Sequence, residues 1–243
     1  MRTHRVRCLL MGGQACVSYG AAEFSRDIDL VLLPDPDNLA RLRDALTDLR
    51  AEPVAFPALD LDYLRRGHAV HFRCLDAGGI RLDLMSVLRG VAPFDDLWPR
   101  RTTVEIDGDP IELMGLPDLV SAKKTQRDKD WPMIRRLVEA NYFAHRSDPT
   151  PEQIRFWLAE LRTAALLTEV ARRFPDLATE AVAVRPALAA AIVGDEAAVE
   201  RALTDEQVLI QALDRAYWIP LRSELERLRR NVSRPGADQG PAS

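Results

Sequence analysis

The stretch Met11-Gly12-Gly13-Gln14-Ala15-Cys16-Val17-Ser18-Tyr19-Gly20, followed closely by Ser25-Arg26-Asp27-Ile28-Asp29-Leu30-Val31-Leu32-Leu33, decides how the chain is read. Cys8, Leu9, Leu10 and Met11 suit a short buried strand. Gly12 and Gly13 break it, and Gln14 to Tyr19 can open a helix whose free amide groups attract anions. Asp27 and Asp29 lie two apart in an apolar run, so on a strand they project from one side while Ile28 and Leu30 face the core. Two carboxylates about 4 Å apart repel by roughly 1 kcal/mol in water and about 4 kcal/mol near a protein surface. A hard cation offsets that repulsion, and Mg²⁺ suits best because it is commonly held by one or two carboxylates together with substrate phosphates. Taken alone, D-x-D is equally a solvated acidic turn. The glycine turn just upstream, between two apolar strands, is what makes it specific.

Bulk properties bound the rest. The chain has 243 residues, 47% hydrophobic and 29% charged, enough for one large domain or two small ones. A net charge of −4 gives no global field for nucleic acid, so any polyanion contact needs a local patch. Cys8, Cys16 and Cys74 are odd in number and lack C-x-x-C spacing, which indicates neither a disulfide framework nor a zinc site. A reduced, cytoplasmic protein is the expectation. The basic N-terminus precedes too short an apolar run for a signal peptide, and no stretch approaches a membrane span.

Further along, Asp35-Pro36-Asp37-Asn38 supplies turn and cap residues ahead of Leu39, Leu42, Leu46 and Leu49 at helical spacing. Residues 52–66 read as loop with a short helix around Leu59 to Arg66. Ala69 to Leu75 and Ile80 to Met85 alternate as strands around the turn Asp76-Ala77-Gly78-Gly79, and Thr102 to Ile106 with Pro110 to Met114 form a second hairpin. From Pro117 the pattern is helical. Thr150-Pro151-Glu152-Gln153 fits a capping box opening a helix to about Phe174, and Thr204-Asp205-Glu206-Gln207 fits another, opening a helix to about Arg230 that Pro220 should kink. The expected organisation is α+β: a small mixed-sheet core over residues 1–147, a helical domain over 148–230, and a disordered tail over 231–243.

Two further groups carry chemistry. Asp83, between Leu82 and Leu84, points away from those neighbours and either meets solvent or joins Asp27 and Asp29. Three carboxylates would surround one or two metal ions able to activate a hydroxyl and neutralise a triphosphate. In Ser121 to Trp131, Lys123, Arg127 and Asp130 share one face if the segment is helical, and the two cations would bind outer phosphates. The plainer reading makes Asp130 the N-cap of the next helix and pairs Lys124 with Asp128 at the surface.

These residues together resemble the nucleotidyltransferase superfamily that includes DNA polymerase β. The pattern is Gly12-Gly13, thirteen intervening residues, Asp27-Ile28-Asp29, then the lone strand acid Asp83. Lys123, Arg127, Lys129 and Asp130 resemble the segment that follows in minimal and abortive-infection, type IV toxin-like, nucleotidyltransferases. The likeness covers roughly Arg5 to Tyr142. It implies Asp27, Asp29 and Asp83 as ligands of Mg²⁺ or Mn²⁺, with Asp83 activating the acceptor hydroxyl. It also implies Gly12 and Gly13 against the triphosphate of an NTP such as ATP, Ser25 as the small hydroxyl before the first aspartate, and Lys123 or Lys124 with Arg127 on phosphate. Implied acceptors are a tRNA 3′ end, a protein hydroxyl or a small molecule, with an antitoxin as partner. Residues 123–136 carry six cationic and two acidic side chains, which tilts the choice slightly towards an RNA acceptor, although a charge cluster is more often simply a solvated helix face. The alternative is a degenerate member that binds nucleotide or a partner without turnover. Three departures stand out: Gly13 where a serine is common, an ambiguous lysine register, and no helix ahead of the first strand, which points to a trimmed or misassigned start.

Overall fold

At the centre of the computed structural model, which describes residues 1–22 and 24–232, is the antiparallel pair β1 (Cys8–Met11) and β2 (Asp27–Leu32), joined through helix α1 (Gly12–Ser18). Asp35 caps α2 (Pro36–Asp48) by accepting from the Asn38 amide at 2.9 Å, and the helix buries Leu39, Leu42 and Leu46. There follow β3 (Ala51–Pro53), α3 (Leu61–Arg65), β4 (Val70–Cys74), β5 (Ile80–Met85), α4 (Phe94–Leu97), β6 (Thr102–Ile106) and β7 (Asp109–Leu113). The remainder is helical: α5 (Leu116–Lys123), α6 (Asp130–His145), α7 (Pro151–Glu160), α8 (Ala164–Arg173), α9 (Pro175–Ala181), α10 (Ala187–Val193) and the long α11 (Glu196–Val232).

The strands form one mixed sheet in the order β3-β4-β5-β2-β1-β7-β6. Strand β2 runs parallel to β5, and β1 parallel to β7; the other neighbours are antiparallel. Among the described residues the architecture is therefore α+β, with seven strands and eleven α-helices. Period-two alternation divides the sheet by face. Leu30, Leu32, Leu82 and Leu84 pack with Leu39, Leu42 and Leu46 of α2. Each such leucine contributes about 1.5–3 kcal/mol when buried. Leu9, Met11 and Val31, on the face that carries Asp29, join Trp131, Ile134, Trp157, Leu167, Leu188 and Leu203 in a larger core. That core runs across the expected boundary at 147/148, where the Tyr142 and Trp157 rings meet edge-on with centroids 5.1 Å apart.

Both hairpins form as expected, turning through Gly78 and Gly79 and through Asp107 and Gly108, all at positive φ. Several expectations are corrected. Residues 51–53, at the start of the segment read as loop, are strand β3, a short proline-containing edge that shows little alternation. The Thr150 capping box is present, but its helix stops at Glu160. The buried Arg185 donates to the Leu158 and Leu161 carbonyls at 2.8 and 2.7 Å, so this helix end is satisfied from a distant part of the chain. Thr204 caps nothing. It lies inside α11, its hydroxyl donating back to the Glu200 carbonyl at 2.9 Å, while Asp195 accepts from the Ala198 amide at the true start. The helix continues through Pro220 to Val232. Residues 231 and 232 of the expected tail thus close α11, and 233–243 lie outside the described residues.

Candidate functional site

Strand β1 delivers the chain to Gly12, which takes φ +68 and starts α1. A Cβ at this position would overlap Asp29 Oδ2, so only glycine lets the turn close onto that carboxylate. A Cβ on Gly13 would overlap Ser25 Oγ. Ser25 is held in place by Gln14 Nε2, which donates to its carbonyl at 3.0 Å, and by its own hydroxyl, which donates to the Asp27 carbonyl at 3.3 Å. The glycines thus form the first turn of α1 and not merely a break before it.

In the register of β1, β2 and β5, Met11 faces Asp29 and Asp29 faces Asp83, so Asp29 and Asp83 share a sheet face. Asp27, two residues earlier, lies on that face beside Arg81. Burial pushes the Asp29 carboxyl above its ordinary range, and Asp83 and Asp27 add to the rise, against Lys123 and a hydrogen bond from the Gly13 amide. The shift comes first from loss of water around the carboxylate and second from the neighbouring acids.

Asp83 is in the opposite condition. Its Oδ1 lies 2.7 Å from Arg81 Nε and 2.8 Å from His71 Nδ1. Burial works to raise its pKa, but hydrogen bonds from His71 and Arg81 outweigh it and hold the carboxyl below the usual range. Neither Arg81 nor His71 was singled out from sequence. The i, i+2 logic that groups Asp27 with Asp29 would have found Arg81 beside Asp83.

The basic segment is not one helix. Helix α5 ends at Lys123, residues 124–129 are irregular, and α6 begins at Asp130, whose N-cap is Lys129 and not Asp130 itself. Lys123, Arg127 and Asp130 still converge, because the buried Asp130 accepts from Arg127 Nε at 2.8 Å and from Thr125 Oγ1 at 2.5 Å, with Lys123 Nζ at 3.9 Å. Lys124 does not pair with Asp128. It reaches Glu160 Oε1 at 2.7 Å, and Asp128 accepts from Gln211 Nε2 at 2.9 Å. Of the two lysines, Lys123 faces the carboxylates.

Gly12, Gly13, Ser25, Asp27, Asp29, Asp83, Lys123 and Arg127 all line one cleft of about 610 Å³. Helix α11 supplies a wall of it with Asp214, Trp218 and Arg222, spaced i, i+4, i+8 and so on one helical face. That spacing is the signal sequence reasoning passed over. Asp214 is buried and accepts from Arg89 Nε and from the Gln126 amide, both at 2.8 Å, while Arg89 Nη2 donates to the Lys124 carbonyl at 2.5 Å. Beyond Trp218, Glu224 pairs with Arg66 and lies 3.0 Å from His68 Nε2.

Asp27 and Asp29, on one sheet face and both lining the cleft, suit two oxygen positions of a hard cation. Asp83 is committed to Arg81, and among the described residues no group of three or more His, Cys, Asp or Glu is arranged to hold a metal ion. No helix among the described residues is long and apolar enough to cross a membrane. No protein-family model matches the chain, and no curated protein matches it in sequence.

Proposed function

We propose that the protein is a metal-dependent nucleotidyltransferase that moves a nucleoside monophosphate from an NTP to an acceptor hydroxyl on an RNA 3′ end, a protein or a small molecule. The observation that carries this reading is the pairing of Asp29 with Asp83 across β2 and β5, directly against a glycine turn and in one cleft with Lys123 and Arg127. Asp27 and Asp29 would hold Mg²⁺ or Mn²⁺, and such an ion supplies charge neutralisation on the phosphates and activation of the hydroxyl. Lys123 and Arg127, oriented by Asp130, bind the outer phosphates. Gly12 leaves room for close approach. The Ser25 hydroxyl occupies the space beside Gly13, which accounts for the missing serine there. Asp83 is the acceptor-side carboxylate, its pKa held below the usual carboxylate range by hydrogen bonds from His71 and Arg81.

One observation favours the second reading, nucleotide binding without turnover: Asp83 already has a cationic partner in Arg81. Incubation with each labelled NTP and Mg²⁺ in total cell extract separates the two. Transfer predicts pyrophosphate release and label in RNA, protein or a small molecule. Metal-dependent NTP binding with no pyrophosphate release overturns the enzyme reading in favour of the second.

A further inference from the structure

A second cavity of about 470 Å³ lies on the other side of the 127–131 segment, between α6, α8 and α11, and is lined by Trp131, Arg135, Arg162, Thr163 and Gln207 among others. Its chemistry is set by a mismatch of buried charge. The side chains of Arg162 and Arg185 are 6% and 7% exposed, and both depend on Glu206, at 3.1 and 3.3 Å. Arg185 spends its remaining donors on the Leu158 and Leu161 carbonyls. Arg162 has no such outlet: its guanidinium lies over the Trp131 ring, 5.0 Å from the centroid, and its Nε and Nη1 have no hydrogen-bond partner. Glu160, the other carboxylate acting on Arg185, accepts from Lys124 through Oε1, and its Oε2 is buried without a hydrogen-bond partner. Both buried guanidiniums therefore make their ion pair with the same carboxylate, Glu206, and buried donors left unfilled on a charged group are costly.

The start of α8 opens on the same cavity. Thr163 and Ala164 line it, no side chain caps the helix, and its first turn carries no acidic residue. The Thr163 hydroxyl, which would ordinarily cap, donates to Glu139 instead. The first amides of a ten-residue helix thus add to the charge of Arg162. Arg135, exposed and only loosely paired with Glu139 at 3.8 Å, supplies a second guanidinium. Two acidic residues also line the space: Asp128, which is engaged by Gln211, and Glu200, which is exposed.

We propose that this cavity is a binding site for a phosphate-class oxyanion, held by Arg162, Arg135 and the first amides of α8. Planar guanidinium donors and helix-start amides are the groups that match such an anion. The volume leaves room for a substituent on the phosphate. The site is independent of nucleotidyl transfer, because none of these groups belongs to the cleft around Asp29.

The test is an NMR titration of the full-length ¹⁵N-labelled protein with inorganic phosphate at constant ionic strength. Saturable shifts are expected at the Ala164 and Ala165 amides and at the Trp131 indole N–H. Arg162→Gln should abolish them. Since that variant removes a buried ion pair, the exposed Arg135→Gln serves as the second probe and should weaken binding about tenfold, the equivalent of one charge-assisted hydrogen bond. A parallel titration with dimethyl phosphate asks whether the anion is free or esterified, and saturation by either supports the site. Shifts confined to residues 12–13 and 123–127, no saturable shift at 164–165, or unchanged affinity in Arg135→Gln would overturn it.

Discussion

Asp29 and Asp83 stand side by side in register on parallel strands, and their surroundings push them in opposite directions: burial and neighbouring carboxylates raise Asp29, whereas Arg81 and His71 hold Asp83 down. The two acids of one cleft are therefore in different electrostatic states before any ligand arrives.

For Asp29→Asn, linkage fixes the sign. A carboxyl whose folded pKa is raised contributes stability below its unfolded pKa and loses it as pH rises through the folded value, leaving none at neutral pH. Asparagine removes the charge, so the metal-free variant should melt at the wild-type temperature or slightly above it at pH 7, and that advantage should vanish in acid. Mg²⁺-dependent NTP binding and transfer should be lost. Thermal melts from pH 3 to 8, with calorimetric titration of Mg²⁺-NTP, check both. Clear destabilisation at pH 7 with wild-type transfer would make Asp29 a structural hydrogen-bonding residue.

Arg81→Ala acts on the neighbouring acid. The depressed pKa of Asp83 contributes stability above its unfolded pKa that is lost as pH falls through the folded value, below the ordinary carboxylate range. Without Arg81 this acid-limb loss should shrink and the metal-free protein should be less stable at pH 7. The released carboxylate should tighten Mg²⁺ binding several-fold. Equal Mg²⁺ affinity in variant and wild type would show that Arg81 does not compete with the cation.

Gly13→Ser should cost about 1–3 kcal/mol by overpacking against Ser25. Ser25→Gly should relieve most of it. A double-mutant cycle in urea measures the coupling, and additive effects would place the Gly13 and Ser25 side-chain positions out of contact.

Arg89→Met leaves the Asp214 carboxylate buried without its cation and should destabilise by about 3–5 kcal/mol. Amide exchange should quicken at Gln126, whose N–H Asp214 holds. Protection at wild-type level would locate the restraint on the 124–126 segment elsewhere.

Much of the sheet is legible from local chemistry, because Gly12-Gly13, the alternation around Asp27 and Asp83 and the glycines of the two turns each act within a few residues. What is hidden depends on distant partners. The end of α7 is set by Arg185, some two dozen residues on, so the periodicity through Leu161 and Ala165 suggests one helix where there are two. Thr204 to Gln207 has the composition of a cap but sits where α11 is already under way from Asp195. In the cleft, Asp27, Asp29 and Asp83 are readable because strand and glycine geometry fix them, whereas the choice between Lys123 and Lys124 depends on where α5 ends and on Glu160, which takes Lys124. Arg81, Asp214, Trp218 and Arg222 are less so, because their role comes from which face of β5 or α11 is turned inward.

Helix α11 gives the cleft a temporal property as well as a spatial one. Trp218 and Arg222 lie on α11, and the contacts that fix this helix, Asp214 with Arg89 and Glu224 with Arg66 and His68, join it to residues translated far earlier. During synthesis the carboxylates, glycine turn and basic segment have all been translated before this wall exists. The cleft is finished only once α11 has been made, so a polypeptide interrupted before residue 214 carries Asp27, Asp29 and Asp83 without the wall that α11 places against them.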